Sequence, residues 1–255
     1  MIRSIGSASI TFGLVSIPVK LYTAASSEAV SFNMLTPSGN RVKQKYTDAV
    51  SNEEVSFADC DKGFEVSEGQ YVRFTKDEIK ALEAENSKTM DIREFVDADS
   101  IDFVQVEKSY YLGPDKGGDK GLVLLSETMK SLGKVAVAQW NSRGKEHLVV
   151  IRPYRGGLVL HQMYYENEVR SFDEIKVGKT NISDAERGMA GQLVQALGTP
   201  GFDSSKYRDT FGERVRAAVE RKLAGMPVEV PEAPKTTVLD LFAALRASLE
   251  GALKK

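Results

Sequence analysis

The first 24 residues alternate apolar side chains with small or polar ones, which is the pattern of half-buried β-strands. Residues 5–24 therefore predict one or two strands. Pro18 interrupts the stretch FGLVSIPVKLYTA, and proline cannot donate a hydrogen bond to a neighbouring strand. Just after it, Lys20 faces the side opposite to Val19 and Leu21. Two interpretations are open, an edge strand with a solvated lysine and a strand that bends at Pro18.

A second alternating segment is basic rather than apolar. Residues 41–46 (RVKQKY) follow the turn residues of TPSGN, and basic side chains occupy every second position. A strand there would place Arg41, Lys43 and Lys45 on one face. Other strands and hairpins are predicted at 62–75, 88–96, 102–112, 134–154 and 156–165.

Helices are predicted where capping residues meet apolar side chains three and four positions apart. Most of them follow residue 180, which indicates a β-rich domain over roughly residues 1–180 and a helical region after it. Residues 227–234 (PVEVPEAP) hold three prolines and predict an extended linker before a last helix. The predicted helices cover 75–85, 122–132, 183–197, 209–224 and about 237–255.

Composition limits the class of protein. The apolar fraction of 42% is sufficient for a core, and no apolar run approaches the about 20 residues that span a bilayer. Cys60 is the one cysteine, which fits a reducing cytoplasm, and we expect a cytoplasmic protein. The net charge is −2, but basic residues prevail over 1–46 and 109–160 and acidic ones over 53–108. A basic face and an acidic face can therefore coexist, although a mixed solvated surface would give the same counts.

No pattern in the chain predicts catalysis. The glycine-rich string GPDKGGDKG (113–121) has the glycine spacing of a P-loop, but Asp119 stands where that loop needs lysine. Cys60 lies between Asp59 and Asp61, which disfavour a reactive thiolate. The two histidines have no metal-ligand spacing. We expect no enzyme activity, no cofactor and no metal site.

Several longer strings are specific to one family. SASITFGLVSIPVKLYTA, EKSYYLGPDKGGDKGLVLL and RGKEHLVVIRPYRGGLVLHQMYYENEVR occur in order, as does FDSSKYRDTFGERVRAAVERKLAG. In these strings the chain resembles bacterial-type Ku proteins, the DNA-end-binding factors of non-homologous end joining. One departure is TDAVSNEEV (47–55), where many relatives carry a Cys-x-x-Cys pair and this chain has none, so no metal is expected there.

The resemblance implies a mainly β fold with helices. It consists of a Ku-type β-barrel, a DNA-encircling bridge insertion and a C-terminal helical arm. Two subunits would form a homodimeric ring that holds duplex DNA ends without reading sequence and recruits an end-joining DNA ligase. The implied domains are a barrel at 1–182 with the bridge at about 30–72, a dimerisation arm at 183–226, a linker at 227–234 and a partner-docking helix at 235–255.

The resemblance also assigns roles to residues. Pro18 would mark the bend where the first strand leaves the barrel, with Lys20 on the DNA side. Contacts to DNA phosphates are expected from Lys20, Arg41, Lys43, Lys45, Arg143, Lys145, Arg152 and Arg155. The ligase would bind one apolar stripe of the last helix, made by Val238, Leu241, Phe242, Leu245 and Leu249. The dimer would bury Leu193, Leu197, Phe211, Val215, Val219 and Leu223.

A different class of function remains open. The calculated pI of about 5.9 is far below that of a typical nucleic-acid-binding domain. Related barrels bind peptides, so the alternative is a protein–protein adaptor on the same barrel without DNA binding. Binding to linear duplex DNA would distinguish the two.

Overall fold

The computed structural model describes residues 2–27, 29–82, 88–142, 144–178, 180–228 and 241–252. Contacts divide the chain into two compact units, residues 1–28 with 33–171 and residues 29–32 with 172–255. The strands are β1 (Gly6–Phe12), β2 (Val15–Thr23), β3 (Tyr46–Thr47), β4 (Glu54–Val55), β5 (Lys62–Ser67), β6 (Gln70–Phe74), β7 (Thr89–Asp97), β8 (Val106–Pro114), β9 (Lys134–Ser142), β10 (Lys145–Tyr154) and β11 (Gly157–Met163). The helices are α1 (Lys76–Leu82), α2 (Asp119–Leu132), α3 (Asp184–Leu197), α4 (Thr210–Leu223) and α5 (Leu241–Ala252).

Seven strands of the first unit close into a barrel in the order β1-β2-β8-β11-β10-β9-β7. All neighbours are antiparallel except β1 and β7, which pair in parallel from Ser9 with Thr89 to Thr11 with Asp91. Closure leaves the barrel no unpaired edge. Alternate side chains point inward, and Ile10, Val19 and Leu160 are fully buried there.

Helix α2 closes one end of the barrel. It contacts β2, β8, β9, β10 and β11, and Leu122, Leu125 and Met129 join the interior core. The helix ends as the sequence predicts, with Gly133 in the left-handed conformation at φ 64°.

The glycine-rich string before α2 has a packing role. A Cβ atom on Gly118 would lie 2.1 Å from the carbonyl oxygen of Pro18, and one on Gly113 would lie 3.0 Å from the ring of Tyr22. Gly117 has φ 83°, which favours glycine. These glycines let the β8–α2 connection approach β2 closely.

The predicted bend at Pro18 is wrong. Strand β2 continues through Pro18 to Thr23, and Ser9 of β1 lies opposite the proline. The carbonyl of Pro18 accepts from Asp115 N–H, just beyond the last β2–β8 pair, Val19 with Pro114. Because the N–H and C=O of a strand residue point to the same edge, the missing donor faces the edge where β8 has already ended. No hydrogen bond between β1 and β2 is therefore lost at Pro18.

The predicted strand over RVKQKY is also wrong for most of its length. Arg41 makes one isolated bridge to Leu35, and only Tyr46 and Thr47 form a strand. Residues 42–45 belong to no strand. The alternating side chains are basic and exposed, so no apolar face packs to support a ladder. Arg41, Lys43 and Lys45 are consequently not aligned on one face of a sheet.

Other local predictions between β4 and β7 are confirmed. β5 and β6 form the hairpin around Gly69, and Phe64 of one strand pairs with Val72 of the other. Helix α1 begins with the predicted capping box, in which Thr75 N–H donates to Glu78 at 2.8 Å and Glu78 N–H to the Thr75 hydroxyl at 3.2 Å. Residues 83–85 of the predicted helix lie outside the described residues.

The second unit is helical. Ser183 and Glu186 form the predicted capping box of α3, and Asp209 caps α4. Helix α5 contacts α3. Its Leu245 and Leu249 are half-buried. Several apolar side chains of α3 and α4 stay exposed: Val194, Leu197, Phe211, Val219 and Leu223.

Gly118→Ala should lower the free energy of unfolding by about 1–3 kcal/mol, because its Cβ would overlap the Pro18 carbonyl. Gly6→Ala is the matched control, since nothing lies within 4 Å of a Cβ there. Urea unfolding followed by circular dichroism measures both. Equal midpoints for the two variants would show that α2 does not depend on this close approach.

Candidate nucleic-acid interface

Two arginines lie close together on the outer face of the barrel. Arg152 alternates with the buried Ile151 along β10 and therefore points outward. Arg155 follows in the two-residue turn to β11, with φ 47°, and Gly156 has φ 82°. Positive φ at both positions is the type I′ geometry that suits tight hairpins. The turn thus brings Arg155 next to the end of the Arg152 strand.

Both guanidinium groups lie over one tyrosine. The central carbons of Arg152 and Arg155 are 5.4 and 5.3 Å from the ring centre of Tyr154. Tyr154 also stacks on Tyr111 of β8, with ring centres 5.6 Å apart. Cation–π contacts of this kind hold a charge in place while leaving its N–H groups available. We call Tyr111, Arg152, Tyr154 and Arg155 the Arg–Tyr cluster.

His161 positions Arg152 from the neighbouring strand. Arg152 Nε–H donates to His161 Nε2 at 2.9 Å, and His161 Nδ1 lies 2.8 Å from the Ser109 hydroxyl. Since Arg152 can only donate, His161 Nε2 carries no proton, and Nδ1 donates to Ser109. Burial, and secondly the charge of Arg152, lower the pKa of His161. The imidazole therefore stays neutral at pH 7 and works as an acceptor that orients Arg152.

Two of the predicted cations have acidic partners. Lys20 points outward from β2, as expected, but its Nζ lies 3.5 Å from Asp115. Hydrogen bonds from Lys116 N–H and the Ser7 hydroxyl, together with Lys20, lower the pKa of Asp115. Lys45 lies 2.6 Å from Glu54. The positive charge of these two lysines is thus partly compensated.

The remaining predicted cations are dispersed. Arg41 and Lys43 are exposed between β2 and β3, and Lys145 is exposed at the start of β10. Arg143 lies outside the described residues. The structure thus brings together Arg152 and Arg155 but does not align Arg41, Lys43 and Lys45. Sequence reasoning missed Tyr111, Tyr154, His161 and Ser109, although strand alternation could have put Tyr154 on the face of Arg152.

The predicted partner stripe is only partly within the described structure. Val238 and the side chains of Leu241 and Phe242 lie outside the described residues. Leu245 and Leu249 are half-buried on α5. Because α5 contacts α3, the last helix packs within the second unit.

Comparison with known proteins identifies the family. The family described as Ku, the Ku70/Ku80 beta-barrel domain, matches residues 11–189, which is well over half of the chain. The chain belongs to the Ku family. The predicted Ku-type barrel with C-terminal helices is therefore confirmed. The barrel is the closed seven-strand sheet described above.

Three Ku relatives cover nearly the whole chain. The non-homologous end joining protein Ku of Paraburkholderia phymatum is 40% identical over 99% of this chain and 84% of its own length. The protein of the same name in Koribacter versatilis is 36% identical, over 98% and 86%. The protein of that name in Archaeoglobus fulgidus is 34% identical over 97% of this chain and 98% of its own length. The similarity thus includes the helical second unit as well as the Ku barrel.

Other kinds of site have little support in the described residues of this Ku chain. These residues contain no group of three or more His, Cys, Asp or Glu side chains that could hold a metal ion. None of the described helices is long and apolar enough to cross a membrane. Cys60 is exposed, and its thiol donates to the Ser56 carbonyl at 3.4 Å.

His161 should make stability depend on pH. Its folded pKa lies below the unfolded value of about 6.5, so the stabilising contribution is complete above that pH. It declines as pH falls from about 6.5 to the lowered folded value. His161→Gln, which keeps an acceptor for Arg152, should lose less stability than wild type over this range. Urea unfolding at several pH values measures the difference, and an NMR midpoint of His161 at or above its ordinary pKa would contradict the assignment.

Proposed function

We propose that this protein binds the ends of double-stranded DNA without reading their sequence and acts in non-homologous end joining. The observation that carries the proposal is membership of the Ku family together with the Arg–Tyr cluster on the outer face of the barrel. Arginine fits phosphate oxygens through two parallel N–H groups. Phosphate contacts give affinity and register but carry no sequence information.

The protein contributes no catalytic group to this function. Its role is to hold DNA and to bring other proteins to the end. The cations that contact phosphates are Arg152 and Arg155 on the barrel, with Arg41, Lys43 and Lys145 as further contacts from exposed positions. The acidic partners of Lys20 and Lys45 make these two lysines weaker contributors.

Binding should require a free end, because a closed protein ring can reach duplex DNA only by threading. Linear duplex should be retained in a gel shift, and a covalently closed circle of the same sequence should compete poorly. Linearising the circle with one cut should restore competition. Equal affinity for the linear and the closed form would contradict the ring. Absence of binding to either form would favour a protein–protein adaptor without DNA binding.

The ring requires two copies of the chain. The proposal is supported by apolar side chains that α3 and α4 leave exposed in the single chain, including Leu197 at 66% and Leu223 at 84%. Such side chains at helical spacing are typical of a surface that another chain covers. The helical second unit is therefore the proposed dimerisation arm.

The protein should be a dimer at micromolar concentration in light scattering. Val219→Asp with Leu223→Asp should shift it to a monomer, since a buried carboxylate is costly at an apolar interface. Ala217→Asp places the same carboxylate at an exposed position on the opposite face of the same helix, so this control should stay dimeric. A monomeric wild-type protein would exclude the arm as the dimer interface.

The last helix is the proposed docking element for an end-joining DNA ligase. Leu245 and Leu249 supply apolar contacts at a spacing of four residues. Because α5 packs on α3, a ligase that takes this stripe must displace α3 or bind beside it. The affinity of the ligase for α5 therefore depends on the strength of the packing between α3 and α5.

Removal of residues 227–255 should leave DNA-end binding and dimerisation intact and abolish stimulation of the cognate ligase. Leu245→Asp should reduce stimulation strongly at a single position, whereas Ala247→Asp, at an exposed position on the opposite face of the same helix, should not. Ligation of linear DNA, with and without each variant, measures this effect. Full stimulation by the truncated protein would show that the ligase docks elsewhere.

A further inference from the structure

The barrel end opposite α2 is open and holds a cavity of about 450 Å³. The first residues of β1, β8 and β10 surround it, with the last residues of β2, β9 and β11. Helix α2 packs at the other ends of these strands, near Phe12 and Lys134. The volume lies within the roughly 300–1,000 Å³ of small-molecule sites. The mouth of the barrel is thus a separate site from the outer-face Arg–Tyr cluster.

The floor of this cavity is aromatic. Trp140 and His147 are directly opposite each other on β9 and β10, with ring centres 5.8 Å apart. Tyr110 contacts Trp140 edge-on at 6.1 Å. Indole, imidazole and phenol rings are the side chains on which proteins stack unpaired nucleobases.

The rim of the cavity is basic. Lys88 and Lys108 line it, and none of the described residues that line it is acidic. Glu107, which does not itself line the cavity, has its carboxylate 2.7 Å from Lys108 Nζ and 2.6 Å from the side-chain amide of Gln162. Lys88 is exposed just before β7 and has φ 48°, an uncommon conformation for a residue with a side chain. Glu107 partly compensates the charge of Lys108, but two lysines against this one carboxylate leave the rim with a net positive charge above an aromatic floor.

We propose that the mouth of the barrel binds a 5′-phosphorylated nucleotide, with the base over Trp140 and His147 and the phosphate at Lys88 and Lys108. Ile5 and Leu21 supply an apolar wall beside the floor. The ligand is either a free mononucleotide or the terminal nucleotide of a single-stranded DNA overhang. The second source rests on the proposed function, whereas the pocket itself does not.

Trp140 provides the test, because it is the only tryptophan in the chain. Its emission, excited where nucleotides do not absorb, should change saturably when deoxyadenosine 5′-monophosphate is added to the full-length protein. Deoxyadenosine without phosphate should bind at least roughly tenfold more weakly, since it lacks the lysine contacts. A 5′-phosphorylated single-stranded oligonucleotide tests the DNA source, and a response to it alone would assign the pocket to the terminal nucleotide.

Variants separate this site from other causes of an emission change. Lys88→Glu with Lys108→Glu should weaken nucleotide binding at least roughly tenfold. Lys120→Glu makes the same kind of charge change on α2, at the opposite end of the barrel, and should have no effect. His147→Ala is a second variant that removes part of the floor and leaves both lysines in place, and it should also weaken binding.

The proposal is overturned if neither the mononucleotide nor the oligonucleotide changes Trp140 emission, or if deoxyadenosine binds as well as its phosphate. It is also overturned if Lys88→Glu with Lys108→Glu binds like wild type. A gel shift with blunt duplex DNA, run in parallel, decides the proposed end binding independently. Duplex binding with silent Trp140 emission would reject the pocket alone, and nucleotide binding without duplex binding would reject the end-binding function alone.

Discussion

Parallel pairing of β1 with β7 closes the barrel, and the other features of the first unit depend on it. The three pairs from Ser9 with Thr89 to Thr11 with Asp91 join residues of the first strand to residues eighty positions later in the chain. Closure fixes which side of every strand is inside. Ile151 is thereby buried and Arg152, the next residue, is displayed on the outer face. Apolar side chains and α2 then fill the barrel interior at one end, and the other end holds an open cavity.

The chemistry of the outer face follows from register rather than from sequence neighbours. Val159 of β11 lies opposite both Arg152 of β10 and Tyr111 of β8. Residues some forty positions apart therefore share one row across three strands. His161, two residues further along β11, is neutral because it is half-buried beside a guanidinium group, and it accepts from Arg152. The result is a fixed, cationic surface that does not depend on a flexible loop.

Local features could be predicted from the sequence, and pairings between distant strands could not. The capping boxes at Thr75 and Ser183 and the end of α2 at Gly133 are set by neighbouring residues. The predicted bend at Pro18 is wrong, because a missing N–H weakens a sheet only where a neighbouring strand would accept its hydrogen bond. The predicted strand over RVKQKY does not form, because its alternating side chains are basic and provide no apolar face that could pack on the core. Arg152 and Arg155 were predicted, but Tyr111 meets Tyr154 only through the barrel register.

The most direct test of the outer-face interface is the salt dependence of duplex binding. Removing one phosphate contact should reduce the slope of log K against log salt concentration by about 0.9. Arg152→Gln with Arg155→Gln should therefore show a shallower slope than wild type on linear DNA of any sequence, while Lys120→Gln with Lys130→Gln on α2 keeps the wild-type slope. An unchanged slope in the arginine variant, with its fold intact, would contradict the assignment of the Arg–Tyr cluster to DNA.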